Sequence, residues 1–110
     1  MKVVINCTPH PISIADETGA IIRTIDPSGI VPRLSSITVD VEPVDGIPVS
    51  ETILGDPENL PDAVEGTFLV VSSFVLSACP DRKDLLRPDT GPDCLRDDKG
   101  RILAVRRLTR

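Results

Sequence analysis

A chain of 110 residues with a formal net charge of -5, 40% apolar residues and only two aromatic ones, Phe68 and Phe74, fits one domain, residues 1 to 110, around an aliphatic core. These limits leave no room for a second domain, and the acidic balance excludes general binding to the DNA backbone, which rests on many cationic phosphate contacts. No apolar run reaches the roughly eighteen residues of a membrane helix, and MKVVINCTPHP has no signal-peptide core, so a soluble, cytoplasmic protein without a membrane partner is expected.

In chain order the pattern is almost all strand. KVVIN reads as a first strand, broken by Thr8-Pro9-His10-Pro11, because neither proline can donate to a ladder. Residues 12 to 15 and 20 to 25 flank Asp16-Glu17-Thr18-Gly19, where Gly19 supplies a positive φ, and form a first hairpin. ITVDVEPV places Ile37, Val39 and Val41 on one face and Thr38, Asp40 and Glu42 on a wet one. Asp45-Gly46 is the strongest turn signal in the chain and returns it as IPVSETILG, a second hairpin.

DPENLPDAVEG, residues 56 to 66, has no sustained period and reads as an acidic, proline-rich loop, either a lid or a linker. TFLVVS is a continuous apolar run of the kind found in a central strand covered on both faces. Ser72 and Ser73 can cap a short helix carrying Phe74, Val75, Ala78 and Cys79. RPDTGP is a stiff turn in which Asp89 accepts from the backbone two residues on and Gly91 takes a positive φ; CLRDDKGRILAVRRL closes the chain as a third hairpin around Asp98-Lys99-Gly100. The expected fold is mainly β, a β-rich α+β domain: a small antiparallel barrel or two-layer sandwich with one short helix.

Charge is segregated along the sequence. No Lys or Arg falls between Arg33 and Arg82, where Asp40, Glu42, Asp45, Glu51, Asp56, Glu58, Asp62 and Glu65 lie; from Arg82 onward nine cations face Asp84, Asp89, Asp93, Asp97 and Asp98. The basic end suits a small anion, and the asymmetry suits a head-to-tail homo-oligomer in which one subunit's acidic middle meets another's basic end. Cys7, Cys79 and Cys94 form no C-x-x-C pair, which argues against a disulfide framework and against zinc. No metal or cofactor is expected.

Asp89-Thr90-Gly91 matches the tripeptide of retroviral-type aspartic proteases, but its proline frame, its late position and the lone Ile-Leu-Gly lying before it at 53 to 55 argue against that chemistry. Polar groups recur instead at strand ends: Asn6, Thr8 and His10 at the first bend, Arg33 after Pro27-Ser28-Gly29, Ser72 at the helix start, and Arg82, Asp84, Asp89 and Thr90 in the last loop. Together they are the candidate ligand-binding rim, fit for a nucleotide-like or other anionic small molecule. No catalytic residue is assigned, since His10 has no identifiable nucleophile to serve.

The ordered set Asn6-x-Thr8-Pro9-His10, Pro27-Ser28-Gly29 with Arg33, Asp45-Gly46-Ile47-Pro48-Val49, Leu60-Pro61, Gly66-Thr67, Ser72, Arg82-x-Asp84-Leu85-Leu86, Pro88-Asp89-Thr90-Gly91-Pro92 and Gly100 with Ala104-Val105-Arg106 resembles a family of small proteins encoded by tailed phages and prophages. The family has no assigned activity. The resemblance covers nearly the whole chain, departs from the family pattern at Cys7, and implies a protein working in the cytoplasm of a bacterial host. Two functions compete within it. One is sequestration of a nucleotide-like or anionic ligand in a pocket at the strand ends; the other is an oligomeric, virion-associated or protein-interaction module without catalysis. Enzymatic activity ranks below both.

Overall fold

The computed structural model describes residues 2 to 110. The chain runs β1 (Val3–Asn6), β2 (Ile12–Ala15), β3 (Ile21–Ile25), β4 (Arg33–Val44), β5 (Ile47–Glu58), β6 (Thr67–Val70), α1 (Ser73–Ala78), β7 (Leu85–Pro88), β8 (Leu95–Arg96), β9 (Ile102–Ala104) and β10 (Leu108–Thr109). This is the expected small β-rich α+β fold, but no sheet among the described residues closes into a barrel.

The centre is a four-stranded sheet ordered β1-β6-β7-β10. The apolar run TFLV sits inside it, parallel to β1 on one side and to β7 on the other; only the β7–β10 pair is antiparallel. The parallel core departs from the antiparallel layout expected from the hairpin signals. For β6 and β7 the cause is α1, which carries the chain from β6 back to the same end of the sheet so that β7 enters in the same direction; for β1 and β6 the return is made by the long connection through β2 to β5.

Alternation along this run feeds two cores. Leu69 and Val71 join Cys7, Val75 and Leu85 on the face covered by α1, while Val70 joins Ile12, Cys94 and Val105 on the other. The second face is covered by the two short hairpins, β2–β3 and β8–β9, docked together where the Ala15 N–H donates to the Val105 carbonyl (2.9 Å) and the Val105 N–H to that of Ser13 (3.0 Å). A sheet covered on both sides replaces the two-layer sandwich. The third hairpin also does not end the chain, because β10 continues past it into the central sheet.

Local signals explain the element ends. Ser72 caps α1, its Oγ accepting from the Val75 N–H, and Val75 is the helix residue that reaches the core. Asp45 (φ 50) and Gly46 (φ 73) both take the left-handed conformation of a two-residue hairpin turn. β5 runs through Pro57 to Glu58, three residues into the stretch expected to be loop. Pro57 is tolerated because two residues, Gly55 and Asp56, bulge opposite Ser35 and locally relax the ladder.

Among the described residues β4 and β5 pair only with each other, forming a two-stranded arm that projects from the body. The radius of gyration is 17.1 Å over extents of 52 × 39 × 22 Å. A compact chain of this length would have a radius of gyration of about 13 Å.

Candidate functional site

The first bend is organised by one buried side chain. Asn6 ends β1 at 1% exposure, and its Nδ2 donates to the carbonyls of His10 (2.8 Å) and Ile25 (3.0 Å). Its Oδ1 accepts from the N–H (2.9 Å) and the Oγ1 (2.7 Å) of Thr8. The carboxamide therefore ties the Thr8–His10 bend to the end of β3, with nothing left to offer a ligand. Thr8 and His10 do meet part of the last loop: with Pro88, Thr90 and Leu103 they line a cleft of about 280 Å³.

Asp89 is engaged within the chain. Oδ1 accepts from the Gly91 N–H (3.1 Å) and Oδ2 from Arg107 (3.2 Å), whose other nitrogen reaches Asp93 at 2.6 Å. The Arg107 guanidinium holds the Asp93 carboxyl below the usual carboxylate range. The tripeptide is thus the aspartate-closed turn the sequence suggested. Gly91, however, does not adopt a positive φ. Glycine is placed there by close approach instead, since a Cβ would lie 3.1 Å from the Asp89 Oδ1.

Arg33 and Ser72 meet at a second place. With Pro32, Leu34, Leu54 and Phe74 they border an apolar groove of about 540 Å³ between the root of the arm and α1. Phe74 stands 69% exposed above it.

Arg82 lies at a third. Its Nε and Nη2 form a two-pronged pair with Asp84, both bonds 2.8 Å, and Nη2 also donates to the Pro61 carbonyl (3.0 Å). That hydrogen bond with Arg82 keeps the Asp84 carboxyl charged to lower pH than usual and raises the Arg82 guanidinium. It also pins the loop before β6 to the body, which answers the lid-or-linker alternative in favour of a fastened connection at Pro61. Beyond Arg82, a cleft of about 510 Å³ is bordered by Ser77, Cys79, Lys83, Arg87 and Arg110. Lys83, Arg87 and Arg110 make no ion pair with a carboxylate among the described residues. The sequence shows a basic end but not the convergence of these three, which comes from antiparallel pairing of Thr109 with Arg87 that brings Arg110 back to β7.

The nine candidate residues are accordingly distributed, not gathered on one rim. Thr8, His10 and Thr90 share one cleft, Arg33 and Ser72 another, and Arg82 a third, while Asn6, Asp84 and Asp89 spend their polar groups on partners within the chain. The cysteines are free; Cys7 and Cys94 are buried, and burial pushes the Cys7 thiol up, away from reactivity. Among the described residues no three His, Cys, Asp or Glu side chains gather as a metal site, and no helix is long and apolar enough to cross a membrane.

The arm presents a further exposed surface. Its register pairs Ile37 with Ile53, Val39 with Glu51 and Val41 with Val49 on one face, and Thr38 with Thr52 and Asp40 with Ser50 on the other. The expected alternation is present, but the apolar face is open as well: Ile37 is 61% and Ile53 49% exposed, and Val44 and Ile47 at the tip exceed 60%.

No family model, curated protein or solved structure matches the chain.

Proposed function

We propose that this protein is a non-catalytic protein-interaction module whose working element is the β4–β5 arm. The observation that supports this reading is the exposed apolar face from Ile37 to Ile53. A two-stranded ribbon is marginally stable alone in water, and an exposed apolar patch rimmed by polar residues marks a contact surface. In the phage setting implied by the sequence resemblance, such a module would act in assembly or on a host protein. A photo-crosslinking amino acid placed at Ile53 should yield a discrete protein adduct in the cell that encodes the chain, whereas the same group at Lys99 should not. Equal, diffuse labelling from both positions would remove the arm from consideration.

A second reading is favoured by the cleft of Lys83, Arg87 and Arg110: retention of an anionic, nucleotide-like ligand. Three cations without carboxylate partners around one depression are the arrangement a phosphate-bearing molecule needs. With no Trp or Tyr, the purified protein is nearly transparent at 280 nm. A 260 nm band released on denaturation and lost in Arg87→Ala would support this reading; a blank spectrum would remove a tightly retained nucleotide.

A further inference from the structure

Taking the arm as a contact surface, we infer that its occupant is a second copy of this chain: each arm lies across α1 of the other protomer, apolar face over the Pro32–Leu54–Phe74 groove and Glu51, on that same face, toward Lys83, Arg87 and Arg110. Charge complementarity is the first support. On the face that docks the arm carries Glu51, with Asp45 at the turn and no cation after Arg33, and the receiving cleft holds three cations whose charges no carboxylate meets among the described residues. The placement of the two depressions is the second. Phe74 and Val75 of α1 line the apolar groove and Leu76 and Ser77 line the basic cleft, so one short helix carries an apolar surface running into a cationic one.

The arm's own face selects against simpler self-contacts. Glu51 lies opposite Val39 in the middle of the apolar stripe. Two arms stacked face to face would bury two like charges without partners. Edge-to-edge pairing would extend the ribbon yet leave the apolar face in water. A surface that offers apolar contact and a cation together accommodates both Glu51 and its neighbours, and the α1 region is such a surface.

Size favours a reciprocal arrangement. The free length from Ser36 to Val44 is about 30 Å, and two strands with their side chains are about 10 Å wide, so one arm covers roughly 300 Å². One docked arm then buries about 600 Å² counting both sides, less than a specific complex needs, whereas two reciprocal arms reach about 1,200 Å², the lower end of stable interfaces. A closed two-fold dimer is the arrangement that supplies both.

Sedimentation equilibrium with interference optics, which needs no aromatic absorbance, tests this directly. The full chain should sediment as a dimer whose dissociation constant rises about tenfold between 0.1 and 0.5 M salt as the charges are screened. Glu51→Lys and Arg87→Glu should each weaken the dimer at least tenfold while leaving the far-ultraviolet circular dichroism unchanged, and the double reversal should recover most of that loss. A single-chain mass at all concentrations overturns the inference, as does a dimer indifferent to both reversals. An Ile53 crosslink to a different protein, together with a single-chain mass, would leave the arm as a contact surface and refute only the second copy as its occupant.

Discussion

Replacing Asn6 separates a structural side chain from a ligand-reading one. Asn6→Ala removes four hydrogen bonds and leaves the Thr8 N–H and the Ile25 carbonyl without their side-chain partner, while the His10 carbonyl keeps the Thr8 Oγ1 (3.1 Å). A neutral intramolecular hydrogen bond contributes about 1 kcal/mol net, and some of the freed groups on this bend will find water, so the expected loss is roughly 2–4 kcal/mol. Against a total stability of about 5–15 kcal/mol this is large. It corresponds to a fall in Tm of roughly 10–25 °C for a domain of this size. Thermal and urea unfolding followed by far-ultraviolet circular dichroism reads it without aromatic probes.

Asn6→Asp sharpens the same test. The new carboxylate keeps the acceptor that holds Thr8 but sets an oxygen against two carbonyls where an NH₂ stood. Burial and those carbonyls disfavour the charged form, so the folded-state pKa of the new group is raised above its unfolded value and the folded chain binds the proton more tightly. The deficit of Asn6→Asp relative to wild type is therefore greatest at neutral pH and shrinks as pH falls toward 4.5, where protonation restores one donor. A loss below about 1 kcal/mol in Asn6→Ala, with no pH dependence in Asn6→Asp, would refute the reading of Asn6 as the hub of the first bend.

Two further outcomes follow from the same geometry. A Cβ at Gly55 would lie 2.3 Å from the Ser35 Oγ. Gly55→Ala should accordingly destabilise the arm by about 1–3 kcal/mol, and Ser35→Ala in the same chain should recover part of it; equal instability in the single and double variants would show that the bulge and not the hydroxyl is at fault. Asp16, Asp84, Asp93 and Asp97 all have depressed carboxyl pKa values, so their contribution to stability is present above the unfolded carboxylate range and is lost as pH falls through the folded values. Tm should be flat from pH 7 to about 5 and fall below about 4, with a smaller acid decline in Asp84→Asn; a Tm constant down to pH 2.5 would contradict the pairing of Asp84 with Arg82.

Local chemistry was readable wherever one short stretch contains all of its cause. Asp45-Gly46 set the arm's turn, Ser72 capped α1, and Asp89 closed its own turn, because each bond spans two or three residues. TFLVVS announced its central place because a strand covered on both faces needs no alternation. The parallel β1–β6 pairing was not readable, since it joins segments more than sixty residues apart and no turn marks it. Asn6 was misplaced for a related reason. As a polar residue at a strand end it looked like part of a rim, although Asn followed two residues later by Thr is also how a side chain closes a turn on itself.

The arm shows a different kind of limit. Alternation along ITVDVEPV says that one face must be covered, and it says so equally whether the cover belongs to this chain or to another molecule. The turn signal reinforces the assumption of an internal hairpin, since both strands are supplied locally. The structure departs from that assumption by leaving Ile37 and Ile53 of the apolar face exposed, while the arm carries carboxylates and no cation after Arg33, and three cations without a carboxylate partner among the described residues gather beside α1. A sequence that kept both charges in one surface would need neither an exposed face nor a separate basic cleft. Their separation is the feature of this chain that intramolecular packing leaves without a purpose, and association of two copies would give it one.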